Sequence, residues 1–305
     1  MAQNPLRGFA GTTLHKERAK TMLNNLGSKL RKSIGSLARK GGIAAACMTA
    51  LCVTAGSPAS AGSVTQPGET LGLAVGAPLP EGVYFVDTFN WGVRGGQNGA
   101  PDTTLAVNIP VVAWSTPAKV LGARVQLLGA LPALAVGVQN SDYTSGIYNP
   151  FLAGQLAWDL GNGLGVSYLL GVYLPVGNKL GFDSTSINQR LGISYTADDW
   201  NLTANTIYGI HTRSASRTLN PDFLNLDVTA AKNFGKWTAG AVGFASWDLT
   251  KPTSTYQKQD QIALGALVGY NFDKVILQGY LTRTVHENNY GGKDTRAWGR
   301  LIVPF

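Results

Sequence analysis

Bulky apolar residues alternate with small or polar residues over long stretches of the chain beyond residue 61. The run from Trp200 to His211 shows this most clearly, with Trp, Leu, Ala, Thr, Tyr and Ile at even positions and Asn, Thr, Asn, Ile, Gly and His at odd positions. Successive side chains of a β-strand point to opposite faces. The pattern therefore predicts a strand with one largely apolar and one largely polar face.

The same pattern recurs along the chain. The preceding run, 190–196, is joined to this strand by Ala197-Asp198-Asp199, which predicts a β-hairpin. The runs 164–174 and 261–270 also alternate clearly, although Leu267 is an apolar residue on the otherwise small or polar face. Eight less regular runs bring the predicted total to about twelve strands: 83–94, 105–116, 123–138, 151–160, 223–233, 237–249, 275–286 and 296–305.

The connections between these runs alternate between short and long. Short links lie near 161–163, 197–199, 233–236 and 271–274, with a less regular one near 117–122, and long polar links lie near 95–104, 139–150, 177–188, 213–222, 250–258 and 287–295. Bacterial outer-membrane barrels have short periplasmic turns, longer external loops and an even strand number. We therefore predict an all-β fold, a transmembrane antiparallel β-barrel of about 12 strands, over residues 82–305.

The last run and the aromatic residues agree with a barrel. Ala297 to Phe305 has small or apolar residues at every second position and ends in an aromatic residue. In hydrocarbon the last strand must pair with the first, because unpaired amides are costly there. Aromatic residues near strand ends predict girdles at the two membrane surfaces: these are Trp91, Trp114, Trp158, Tyr173, Trp200, Trp237 and Trp247.

A secreted β-sandwich with its apolar faces packed inward is the main alternative fold. The strands often have ten or more residues, whereas soluble sheets average about five or six. Their second face is rich in Gly, Ser, Thr, Asn and Gln rather than Lys and Glu. Both features favour a barrel with a confined aqueous lumen.

Residues 1–61 have the features of an export signal. Basic residues from Lys29 to Lys40 precede an uncharged run of about 14 residues, 43–56, and Ala59-Ser60-Ala61 supplies the small residues that signal peptidase reads. A membrane-spanning helix needs roughly 20 apolar residues. We predict cleavage after Ala61 and a place in the outer membrane of a Gram-negative bacterium, with either Met1 or Met22 as the start.

The export signal also accounts for the charge and the cysteines. It holds nine of the 25 Lys and Arg but one of the 17 Asp and Glu, which leaves sixteen of each beyond it, so the +8 charge gives no reason to expect nucleic-acid binding. Cys47 and Cys52 both lie in the signal, so the exported chain would have no disulfide or thiolate metal site. We expect no metal and no cofactor, and the predicted partners are outer-membrane lipid and a small-molecule solute.

Residues 62–81 separate the signal from the first strand and contain Pro67, Pro78 and Pro80. They could form a periplasmic leader or a plug inserted into the barrel. A barrel of twelve strands lies between small filled barrels and wide porins, so its lumen could be a narrow pore or a plugged one.

Three short runs resemble a known family: Gly171 to Gly177, Ala266 to Tyr270 and Ala297 to Phe305. From about Gly82 onward the chain resembles the outer-membrane transporter family named for the meta-pathway of phenol degradation, although Val176 stands where members usually have Thr. The resemblance implies uptake of aromatic or other poorly soluble carbon sources. It supplies no agreed substrate-binding residues.

Polar and charged residues on the inward faces are the candidates for function. Arg or Lys facing lipid near the bilayer midplane costs about 2 to 4 kcal/mol, so such residues should face the lumen or lie at the rim. They could pair with one another across the interior or form a constriction that selects solutes. The predicted lumen-lining residues are Arg190, Ser194, Asn201, Thr203, Asn205, Asp227, Gln261, Arg296 and Arg300, with Arg124 and Asp87 as further candidates.

These features predict a channel for passive uptake of small, aromatic or hydrophobic compounds, and no enzyme. One alternative is a structural barrel whose long loops bind a partner. The other is an outer-membrane lipid hydrolase that pairs His211 or His286 with Ser214 or Ser216, although such spacing is nonspecific.

Overall fold

The computed structural model describes residues 62–97, 99–212 and 220–305. The predicted export signal with its cleavage site after Ala61, both cysteines, and the candidate nucleophiles Ser214 and Ser216 lie outside the described residues. All regular secondary structure within these ranges is β-strand. No helix of the described residues is long and apolar enough to span a membrane.

The described residues form one antiparallel sheet of fourteen strand segments. Their bounds are β1 (Gly82–Arg94), β2 (Thr103–Val120), β3 (Ala123–Ala130), β4 (Ala133–Val138), β5 (Thr144–Ile147), β6 (Phe151–Gly161), β7 (Leu164–Tyr173), β8 (Ser186–Tyr195), β9 (Trp200–His211), β10 (Phe223–Phe234), β11 (Trp237–Asp248), β12 (Asp260–Asn271), β13 (Ile276–Asn288) and β14 (Asp294–Pro304).

The sheet closes on itself because β1 pairs with both β14 and β2. The segments β3 and β4 are two halves of one barrel strand, since both pair with β2. The segments β5 and β6 are likewise two halves of the next strand, pairing with β4 and β3. The fourteen segments therefore form a closed barrel of twelve strands, which confirms the predicted fold class.

The break between β3 and β4 lies at Leu131-Pro132, where the sequence predicts one continuous strand. Proline has no amide N–H and cannot donate a ladder hydrogen bond. Around the break, Leu131 N–H donates to Pro110 O (3.2 Å) and Tyr148 N–H donates to Pro132 O (2.8 Å), so pairing continues on both sides.

The short link predicted near 117–122 is present, but it is limited to Leu121-Gly122. Strand β2 continues to Val120, and Lys119 pairs with Arg124 across the turn Leu121-Gly122. Both turn residues have positive φ, 51° and 80°, as expected for the two-residue turns that match the twist of a hairpin.

The apolar faces of the strands point away from the barrel interior. Leu202 and Leu264 are 41% and 56% exposed, whereas Thr203 and Asn205, on the opposite face of β9, are 7% and 2% exposed. A sandwich with an apolar core would show the reverse. The sandwich alternative is therefore wrong.

Two predicted orientations are also wrong. Tyr173 is buried inside the barrel, with its ring centroid 4.4 Å from that of Phe151, and so does not belong to a girdle. Asp87 faces outward rather than into the lumen, because it shares its face with exposed Phe89 while Thr88 is buried on the other face. The Asp87 carboxylate is hydrogen-bonded to Asn108, which gives it a polar partner on that face.

Candidate functional site

Residues 62–81, called here the inner segment, contact the inward faces of the barrel strands. The barrel has a long-loop end, where long loops join the strands, and a short-turn end, where short turns join them. At the long-loop end, His211 Nε2 lies 2.9 Å from Gly62 O. At the short-turn end, Gly76 N–H donates to Ser194 Oγ (2.9 Å), next to the end of β8. The inner segment therefore runs along the lumen from the long-loop end to the short-turn end, where β1 begins.

Successive turns give the inner segment its path. Backbone hydrogen bonds join Glu69 to Gln66, Leu71 to Gly68, Leu73 to Thr70 and Ala77 to Ala74, at 3.0 to 3.3 Å. Gly72 has a φ of 82°, a conformation that favours glycine, and a Cβ there would lie 2.6 Å from Leu267 Cδ1. The turns leave other backbone groups unpaired within the segment, and the barrel wall must supply their partners.

Asp227, on β10, is one of these partners. Its carboxylate accepts hydrogen bonds from the N–H of Gly68 (2.9 Å), the N–H of Thr70 (3.0 Å) and the hydroxyl of Thr70 (2.7 Å). The side chain is 2% exposed. Hydrogen bonds to an ionised acceptor are stronger than neutral ones. Asp227 therefore anchors the middle of the inner segment to the wall.

Arg300, on β14, holds carbonyl groups of the same stretch. Its Nη2 donates to Glu69 O (2.5 Å), and its Nη1 donates to Leu71 O. On the wall, its Nε donates to Thr88 Oγ1 (2.9 Å) and its Nη1 to Gln278 Oε1 (3.1 Å). Arg300 thus joins the inner segment to three neighbouring strands.

Arg190, on β8, contacts a side chain of the inner segment instead of its backbone. Its Nη1 lies 2.7 Å from Glu69 Oε1, and both side chains are 11% exposed. Its Nε donates to Asn188 Oδ1 (2.7 Å) and its Nη2 to the Tyr173 hydroxyl (3.2 Å). The ring of Phe151 lies against the guanidinium, 4.8 Å from Cζ.

Four further predicted residues lie on the wall near the short-turn half of the inner segment. Ser194 accepts from Gly76 N–H, Asn201 donates to Gly72 O (3.1 Å) and Asn205 donates to Thr70 Oγ1 (3.1 Å). Thr203 donates to Asn201 Oδ1 (2.7 Å) and lies 2.8 Å from Ser194 Oγ.

The two remaining predicted residues are buried elsewhere on the inward face. Arg296 forms an ion pair with Asp294 and donates to Asn90 Oδ1 (3.0 Å). Gln261 is 2% exposed on β12. Arg296 therefore contacts other wall residues, Asp294 and Asn90. The role of all nine residues in lining a solute path stays a prediction.

Two apolar clusters inside the barrel each contain a side chain of the inner segment. Leu71 packs among residues that include Leu267, Phe244 and Trp298. Val64 packs in a second cluster with Phe151, Leu169, Tyr173, Ile207 and Phe223. The inward-facing Leu267, which breaks the alternation of its strand, is the sequence signal that could have indicated such a contact.

The long-loop end of the inner segment lies beside Asp248. This carboxylate accepts from the Tyr256 hydroxyl (2.5 Å), from Gln259 N–H (2.9 Å) and from Gly62 N–H. Burial raises the pKa of Tyr256, and the hydrogen bond to Asp248 and the negative charge of Asp248 raise it further. Tyr256 therefore stays protonated and keeps donating.

The two histidines proposed for the hydrolase alternative have different surroundings. His211 stacks on Phe182, with ring centroids 4.9 Å apart, and its Nδ1 lies 3.4 Å from Ser184 Oγ. His286 is 60% exposed and its Nε2 lies 3.0 Å from Asp260 Oδ1. Among the described residues, no group of three His, Cys, Asp or Glu side chains could hold a metal ion.

The chain matches a known protein family and resembles solved structures. A protein-family profile with the description "Putative MetA-pathway of phenol degradation" matches residues 80–301. Among curated protein sequences, no significant match is found.

Several solved structures align with this chain. The COG4313 outer membrane channel from Pseudomonas putida F1 aligns with a TM-score of 0.65 at 14% identity, covering 79% of this chain and 100% of that one. The NanC porin aligns at 0.46 and 10% identity, over 72% of this chain and 98% of that chain. The translocator domain of the autotransporter NalP from Neisseria meningitidis aligns at 0.44 and 10% identity, over 74% and 90%. The first of these shows that the fold is that of an outer-membrane barrel.

Proposed function

This chain belongs to the MetA-pathway of phenol degradation family, and on that premise we propose that it is an outer-membrane channel for passive uptake of small compounds, aromatic or hydrophobic ones included. The family description supports aromatic compounds as the solutes. The polar barrel interior supports the lumen as the path that they follow.

The observation that carries the proposal is the way in which the inner segment is held in the lumen. Side chains of the wall, Asp227 and Arg300 foremost, bind its backbone through hydrogen bonds. A net hydrogen bond to a charged group contributes about 1.5 to 3 kcal/mol, much less than its strength in isolation, because water can replace either partner. A segment held in this way can be displaced while the wall stays closed, which supports a passage opened by movement of the inner segment.

The strands themselves cannot open as easily. Each barrel strand is paired along most of its length on both sides, and unpaired amides in hydrocarbon cost several kcal/mol each. Solute passage through the lumen therefore depends on the inner segment rather than on separation of strands.

Liposome swelling tests the proposal directly. The full mature chain, refolded into liposomes, should admit small solutes, with rates that fall steeply with solute size because the inner segment narrows the lumen. Heat-modifiable migration on a gel is the control for a closed barrel. Protein that passes this control and admits no solute of any size would refute the channel.

A further inference from the structure

We propose that Arg190, Tyr173 and Phe151 form a binding site for the carboxylate of an aromatic or apolar acid, and that Glu69 of the inner segment occupies this site in the structure. The inference deepens the proposed function and rests on it, since it names a class of solute for the same lumen. A ligand of this class would enter when Glu69 leaves.

The cationic part of the site is preorganised by the wall. Asn188 and Tyr173 bind two of the three guanidinium nitrogens of Arg190, which leaves Nη1 directed at the Glu69 carboxylate. The planar guanidinium matches a carboxylate better than an ammonium does. Because the orienting partners belong to strands β7 and β8, the guanidinium can keep its position when Glu69 departs.

The neighbouring surface is aromatic and apolar. Phe151 and Tyr173 lie against each other with an interplanar angle of 34° and belong to a cluster with Leu169 and Ile207. Val64 of the inner segment fills part of this cluster. Displacement of the inner segment would therefore uncover an apolar surface directly beside the Arg190 guanidinium.

The balance of buried charge selects an acid as the ligand. Both Arg190 and Glu69 are largely buried, and a buried ion that loses its partner is strongly destabilised. A carboxylate from solution restores the pair with no change in charge. A neutral or cationic solute in the same place would leave Arg190 without an ionic partner.

Glu69 also sets the affinity that a solute can reach. Glu69 belongs to the same chain as Arg190, and even a flexible tether would hold its carboxylate there at an effective concentration on the order of millimolar. A free acid must compete against that concentration in the native chain. Removing the charge of Glu69 while keeping its shape should remove most of the competition.

The experiment measures binding of benzoate to the full mature chain in detergent by isothermal titration calorimetry, with benzyl alcohol as the uncharged probe of similar shape. Glu69→Gln should lower the Kd for benzoate at least tenfold and leave that for benzyl alcohol unchanged. Glu81→Gln is the matched control, because that glutamate is exposed and lies 3.8 Å from Arg124. It should bind benzoate as the native chain does.

Adding Arg190→Gln to Glu69→Gln should abolish the gain in benzoate affinity. Equal benzoate affinity in the native chain and in Glu69→Gln, or an unchanged gain in the double variant, would overturn the proposal. If Glu69→Gln does not fold, Glu69→Ala provides the same comparison. Binding in detergent can be measured without solute passage, so the two proposals can fail separately. Solute passage without benzoate binding would refute only the binding site. Benzoate binding without solute passage would refute only the channel.

Discussion

At the scale of single residues, the inner segment passes close to the backbone of the barrel wall at Gly76. A Cβ at this position would overlap the backbone of Ile193 and Ser194, which cannot move aside as a flexible side chain could. Gly76 N–H also donates to Ser194 Oγ. Glycine is required here by lack of space and not by its backbone dihedral angles.

We therefore expect Gly76→Ala to weaken docking of the inner segment by about 1 to 3 kcal/mol, the usual cost of overpacking. Amide hydrogen exchange should report this as faster exchange at Gly72, with the barrel strands unchanged. Gly177→Ala is the matched control, because nothing lies within 4 Å of a Cβ there. Equal exchange at Gly72 in the two variants would contradict the packing described.

At the scale of elements, the strands could be predicted from the sequence, but the course of the inner segment could not. Alternation is a local signal, so the outward position of Leu202 on β9 could be predicted from the residues next to it in the sequence. The contacts of Glu69 with Arg190 and of Leu71 with Arg300 join residues more than one hundred positions apart. Bonds between side chains and a turn-rich backbone leave no periodic pattern.

The candidate residues on the strands could be predicted from the sequence, whereas the one on the inner segment could not. Arg190, Asp227 and Arg300 could be assigned to the interior because charge is costly against lipid. Asp87 was misassigned by that rule, since Asn108 gives its carboxylate a polar partner on the outward face. Glu69 was not a candidate, because it lies outside every alternating run.

The outward face of the strands gives a prediction of its own. Leu264→Arg, near the middle of β12, should lower the free energy of unfolding in lipid bilayers by about 2 to 4 kcal/mol. Leu249→Arg, just beyond the long-loop end of β11, should lower it by about 0 to 1 kcal/mol. Reversible denaturant titration of the refolded protein measures both values, and equal losses would speak against a membrane around the barrel.

At the scale of the whole molecule, the barrel and the inner segment divide two tasks. The twelve paired strands form a wall that satisfies its own backbone, as hydrocarbon requires. The polar interior satisfies the backbone of a chain segment that is not part of the wall, through Asp227, Arg300 and their neighbours. The wall thus supplies stability, and under the proposed function the inner segment decides whether solute can pass.

The most direct test of this division is single-channel conductance in planar bilayers, for the native chain from residue 62 onward and for a variant of it that lacks residues 63–78, both first shown to be heat-modifiable barrels. The account predicts a small conductance for the native chain and a several-fold larger one for the variant. The same conductance in both, or none in either, would contradict it.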